Sequence, residues 1–207
     1  TYYGGGMYLS THYYNELINN TFVGNEAGTS GGGLYLTGSW GSSSGEFVNN
    51  IVAYTAGGDG VYTDSGSATY LSSSSDYNDW YDNSGADLGG SLSTIPGSNS
   101  ITDEPLFADY SGDCDNDVFT LSADSTLIDA GDPSIRDADG TDSDIGAFGG
   151  PDSPSVDVDG DGYYTPGDDC DDSDDAINPD SEEIAYDGID QDCDGSDLTD
   201  VDGDGFD

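Results

Sequence analysis

Apolar and polar residues alternate in short runs along the first half of the chain, and the runs come back. In GGGMYL (residues 4–9) Met7 and Leu9 flank Tyr8; in GGGLYL (31–36) Leu34 and Leu36 flank Tyr35; in GDGVYT (58–63) Val61 precedes Tyr62. Gly6, Gly33 and Gly60 stand 27 residues apart. A second column runs through NNTFV, NNIVA and YNDWY. Its asparagines are Asn20, Asn50 and Asn78, each followed two residues later by Phe22, Val52 or Trp80. A period of two within each run predicts short strands, and no helical periodicity competes with it. A repeat of nearly thirty residues predicts a solenoid, in which each coil buries alternate side chains against its neighbours. Met7, Leu9, Leu34, Leu36 and Val61 are expected inside. Asn20, Asn50 and Asn78 are expected to stack as an amide ladder. Tyr8, Tyr35 and Tyr62 are expected outside, either as plain strand tyrosines or as an aromatic ladder that stacks on sugars.

The pattern resembles the right-handed parallel β-helix repeats of bacterial secreted and surface proteins. The resemblance sharpens at residues 103–133, DEPLFADYSGDCDNDVFTLSADSTLIDAGDP, and 136–150, RDADGTDSDIGAFGG. Proteins of that kind commonly close their last coil with such a segment. The resemblance therefore implies an all-β domain over residues 1–150 whose end is capped by residues 103–150. Asp137, Asp139 and Asp144 either clasp a cation in the final turn or line a solvated loop.

Charge changes the picture further along. The chain carries 44 acidic residues against one basic residue, Arg136. Residues 1–112 hold 12 of the acids and residues 113–207 hold 32. Only six are glutamate. A merely solubilising surface would use both acids; aspartate is the shorter ligand, suited to tight loops around a hard cation. A net charge of -43 argues against nucleic acid or an anionic membrane as partner. No apolar run is long enough to insert into a membrane. GGPDSPS marks a linker, residues 151–156, ahead of an acidic domain at 157–207. The chain opens on Thr1 in mid-pattern, which reads as a piece of a longer or processed protein.

Within the acidic domain, DVDGDGYYTPGD (157–168) fits an EF-hand-type loop. Asp157, Asp159 and Asp161 take positions 1, 3 and 5, and Gly162 takes the sharp turn. Tyr163 offers a carbonyl, and Thr165 and Asp168 fill positions 9 and 12. No amphipathic helix flanks the loop, so it is not an EF-hand pair. Candidate ligands continue at Asp169, Asp171, Ser173, Asp175 and Glu183. A second D-x-D-x-D-G follows at Asp190, Asp192 and Asp194, and DVDGDGFD restarts the motif with Asp200, Asp202 and Asp204. The whole form is similar to the metal-binding repeats named after MopE, a surface protein associated with copper, and to thrombospondin type 3 calcium repeats. Copper would want His, Met or thiolate ligands, whereas His12 and Met7 both lie in the first domain. Dense carboxylate and carbonyl oxygen on flexible Asp-Gly loops suits several Ca²⁺ ions better than octahedral Mg²⁺. A disordered acidic tail is the plain alternative.

Cys170 and Cys193 sit inside this repeat, where a disulfide would staple a domain with almost no apolar core; zinc ligation is the rival. Cys114 is left odd. Asn19-Asn20-Thr21 is a glycosylation sequon at Asn19, and the serine-rich runs are candidate O-glycan sites. A catalytic constellation is not expected. Polysaccharide lyases of this fold need a basic residue, and Asp76, Asp79 and Asp82 are glycosidase carboxylates by type alone. The expected function is an extracellular, calcium-binding structural protein of a bacterial surface, self-associating into a filament or matrix fibre. The alternatives are a monomeric adhesin that binds glycans and a carbohydrate-active enzyme.

Overall fold

A computed structural model describes residues 3–10, 16–38, 46–64, 71, 75–92, 94, 96–112, 117–138, 140–153, 159–163, 169–171 and 174–199. It divides into two compact units, Thr1–Ser153 and Pro154–Asp207.

The first unit is built of short strands. β1 (Met7–Ser10), β4 (Leu34–Thr37), β7 (Val61–Thr63) and β10 (Leu88–Gly90) form one parallel sheet. β2 (Glu16–Ile18), β5 (Glu46–Val48) and β8 (Ser75–Asp76) form a second, and β3 (Thr21–Val23), β6 (Ile51–Ala53) and β9 (Asp79–Tyr81) a third. Each of β1 to β7 pairs in parallel with the strand three places later, so the chain returns to the same sheet after each circuit. The all-β, parallel character read from the repeat is correct. The register is the one the repeat demands: Met7, Leu34 and Val61 align, as do Tyr8, Tyr35 and Tyr62.

Burial follows the alternation. Leu34, Leu36 and Val61 are fully buried, with Phe22, Phe47, Val52 and Trp80 around them, and Met7 and Leu9 pack on this cluster. The recurring glycines let successive circuits approach closely. A Cβ on Gly6 would meet the Gly33 carbonyl at 2.7 Å, and one on Gly33 would meet that of Gly60 at 2.6 Å.

The amide ladder sits at the corner between the second and third strands of each circuit. Asn20 Nδ2 donates to Asn50 Oδ1 at 2.9 Å, and Asn50 Nδ2 donates to Asn78 Oδ1 at 2.9 Å. The residue before each ladder asparagine (Asn19, Asn49, Tyr77) is left-handed, with φ of 53°, 57° and 53°. That conformation makes the corner and comes most easily to asparagine.

The segment expected to close the last coil does something else. Residues 103–150 carry an antiparallel pair, β11 (Phe107–Asp109) and β12 (Val118–Leu121), and then run back to the first two circuits. Leu127 and Ile145 pack against Ile51 and Ala53, the face of β6 opposite to Val52. Asn49 Oδ1 accepts the Asp132 N–H at 2.8 Å, and Thr21 Oγ1 accepts that of Ala147 at 3.0 Å. It is a strap along the third sheet. The reason is apolar: Ile51 and Ala53 face outward on β6, and a bare sheet face of that kind needs a cover.

The second unit has no strand or helix among its described residues. Its backbone is organised by aspartates that accept the N–H two residues ahead: Asp159 from Asp161, Asp161 from Tyr163, Asp169 from Asp171, Asp192 from Asp194. The D-x-D alternation thus builds a run of Asx turns. Gln191 acts as a small polar core. It is 6% exposed, its Oε1 accepts the Ile184 N–H at 3.0 Å, and its Nε2 donates to Asp187 at 2.8 Å.

Candidate metal centre

Two acidic groups in the second unit have the geometry of ion sites. Asp159, Asp161 and Asp169 each bring a carboxylate oxygen within 4.8 Å of the others, and so do Glu183, Asp190 and Asp192. Asp159 and Asp161 are the expected partners of one turning loop. Asp169 joins them from beyond the twelve-residue template. Asp157, Thr165, Asp168, Ser173, Asp200, Asp202 and Asp204 lie outside the described residues.

In the second group Glu183 does the most. Its Oε1 accepts the N–H groups of Gln191 and Asp192, and its Oε2 accepts that of Leu198 at 2.9 Å. The Leu198 N–H, with those of Asp192 and Gln191, holds the Glu183 carboxyl below the ordinary glutamate range against a smaller desolvation effect. A carboxylate fixed in its charged form and tied to three points of the loop is a preorganised oxygen donor. Asp190 is held likewise, its Oδ2 accepting the Gly195 N–H at 2.8 Å. Asp171, Asp175 and Asp194 are members of neither group; the Asp175 carbonyl accepts from Asn178 and Asp194 Oδ1 accepts from Ser196.

Cys170 and Cys193 are joined by a disulfide, with Cα atoms 5.6 Å apart. The bridge holds segment 169–171 beside segment 192–194. Asp169 of one acidic group and Asp192 of the other are each the immediate neighbour of a bridged cysteine. With both sulfurs oxidised, the zinc-thiolate alternative at these cysteines is overturned. The donors that remain in the two groups are carboxylate oxygens. Such a set suits a hard cation, and softer metals would look for nitrogen or sulfur.

The sites expected in the first unit fare differently. Asp137 Oδ2 accepts the Asp144 N–H at 2.9 Å and its Oδ1 that of Gly150, so the carboxylate ties the strap's last turn. Asp144 Oδ1 accepts the Asp129 N–H, and Asp139 lies outside the described residues. Asn19 is a tether. Its Nδ2 donates to Ser143 Oγ at 3.1 Å and to the carbonyls of Asp144 at 3.0 Å and Gly146 at 3.2 Å. A glycan on that nitrogen would have to displace these contacts with the strap. Tyr8, Tyr35 and Tyr62 stack face to face, with ring centroids 5.2 and 4.8 Å apart. Their faces cover one another, which leaves edges to solvent and argues against a stacking platform for sugars. Among the glycosidase candidates, Asp79 is fully buried, Asp76 accepts two hydrogen bonds from Asn99, and Asp82 is exposed. His12 and Cys114 lie outside the described residues.

Sequence reasoning missed Asn178 and Gln191, the buried amides on which the second site is built. The Asn178 N–H donates to the Gln191 carbonyl at 2.9 Å. The only signal was two uncharged amides in an otherwise acidic stretch.

A family model for a metal-binding motif, described as "Putative metal-binding motif" (Cu-binding, MopE), matches residues 169–197. The match spans Asp169, the disulfide and the whole Glu183 group. No curated protein matches the chain, and no solved structure does.

Proposed function

We propose that this chain is a calcium-binding structural protein of an extracellular bacterial surface, and that its subunits assemble into a filament or matrix fibre. In this reading residues 1–150 are a right-handed parallel β-helix, and residues 157–207 are an ion-filled domain that follows the linker at 151–156. The observation that carries the reading is the pair of all-oxygen acidic groups braced by one disulfide, on a segment that matches a metal-binding motif. Carboxylate density, flexible Asp-Gly turns and the absence of nitrogen or thiolate donors in either group favour Ca²⁺ over Cu²⁺.

Cation-dependent assembly has a physical support in the charge. A formal charge of -43 makes subunits repel until cations neutralise the acidic loops. The disulfide fits an oxidising, extracellular setting.

Calorimetric titration of the full chain with Ca²⁺, Mg²⁺ and Cu²⁺, with light scattering followed in parallel, tests both halves. The expected result is Ca²⁺ binding at more than one site together with growth of large particles, reversed by chelator. Binding of Cu²⁺ alone would overturn the choice of ion. Ca²⁺ binding by a particle that stays monomeric would overturn the fibre and leave the adhesin.

A further inference from the structure

Asp79 opens β9 and stands in a column with Thr21 and Ile51 of the neighbouring strands. That column faces the strap: Thr21 accepts the Ala147 N–H, and Ile51 shares a cluster with Leu127 and Ile145. Asp79 is fully buried. Its Oδ1 accepts the N–H of Asp103, where the strap begins, at 3.1 Å, while its Oδ2 has no hydrogen-bond partner. The charged groups that bear on it, Asp103 and Asp87, are both acidic. Tyr81 follows on the same strand, and Glu104 is engaged with the Tyr54 hydroxyl at 3.5 Å. The one basic side chain among the described residues, Arg136, is paired with Asp142. Nor does Asp79 belong to either acidic group with ion-site geometry. A buried carboxylate with no cation and one bare oxygen is costly; the neutral acid costs far less.

We propose that Asp79 is a proton-loaded latch, which holds the strap, residues 103–150, against the coiled strands while its carboxyl group is protonated. Burial pushes this carboxyl up to about 8; Asp103 and Asp87 add to the shift, and the N–H groups of Asp103 and Trp80 oppose it. With the strap lifted, Asp79 meets water and ionises near the ordinary value of about 3.9. Between these two values the docked form carries one proton more than the lifted form. Lifting the strap releases that proton to solvent, so the lifted fraction rises about tenfold per pH unit and levels off above pH 8.

Arg136 lies within the strap and is the only Lys or Arg in the chain, which makes trypsin a single-cut probe of lifting. The rate of cleavage of the full chain, divided by that of an unstructured arginine peptide at the same pH, is measured from pH 5 to 9. The wild type is expected to gain about tenfold per pH unit up to pH 8 and then flatten. Asp79→Asn should be flat across the range. Asp79→Ile, which repeats Ile51 one circuit away, should also be flat and serves if the asparagine variant does not fold. A flat wild type, or variants that keep its slope, would overturn the latch. Calcium that slows cleavage of the wild type but of neither variant would replace the proton with a cation and overturn it equally.

Discussion

Asn50 shows how much one side chain can hold. It is fully buried; its Nδ2 donates to the carbonyls of Leu17 at 2.7 Å and Val48 at 3.0 Å as well as to Asn78, and its Oδ1 accepts from Asn20. Asn50→Ala would leave several of these buried groups unpaired, at roughly 1–3 kcal/mol for each group left bare. We expect the first unit to lose about 3 kcal/mol, read from chemical denaturation, with the second unit's transition unmoved. A loss under about 0.5 kcal/mol would mean the ladder is ornamental. The ladder was legible in the sequence because its asparagines recur at 30 and 28 residues. Asp79 was not: it reads as one more loop acid beside Asp76 and Asp82, and only the strap over it makes it different.

At the scale of elements, the strands could be read and the strap could not. Each strand repeats its neighbour, so register and facing follow from one period. The strap's contacts join Asn19 to residues 124–127 positions away and occur once, leaving no periodic trace. The same limit applies to the first acidic group. A twelve-residue template finds Asp159 and Asp161, but Asp169 reaches them from outside it.

Ile145→Ala removes a buried side chain from the cluster under the strap and should cost about 2–4 kcal/mol. Faster amide exchange at Gly146 and Ala147, whose N–H groups bond to Asn49 and Thr21, would locate that loss in the strap; unchanged exchange there would place it elsewhere. Reduction of the Cys170–Cys193 bridge frees segments 169–171 and 192–194 from each other, and each carries a ligand of one acidic group. The apparent calcium affinity of the reduced chain, or of a Cys170→Ser, Cys193→Ser double variant, should fall at least tenfold in titration. Equal affinities would separate the disulfide from ion binding.

At the scale of the whole molecule, the two units answer acid in opposite directions. A docked strap with protonated Asp79 is favoured as pH falls from about 8, where burial sets that carboxyl, towards the ordinary aspartate range. Bound cations are lost as pH falls far enough to protonate their carboxylates. Moderate acid should therefore loosen the acidic unit while it tightens the first. Thermal scans of the calcium-loaded chain at pH 7 and pH 5 should show two transitions moving apart; a common shift would contradict this.

The central claim is that hard cations organise the acidic unit, which has little apolar surface with which to fold itself. Hydrogen exchange of the full chain in calcium, in copper and in excess chelator tests it most directly, read at the N–H groups of Gln191, Asp192 and Leu198 that Glu183 holds. The account predicts slow exchange there in calcium and fast exchange in chelator, with the amides of β4 and β6 unchanged. Equal exchange in calcium and chelator, or protection by copper alone, would contradict it.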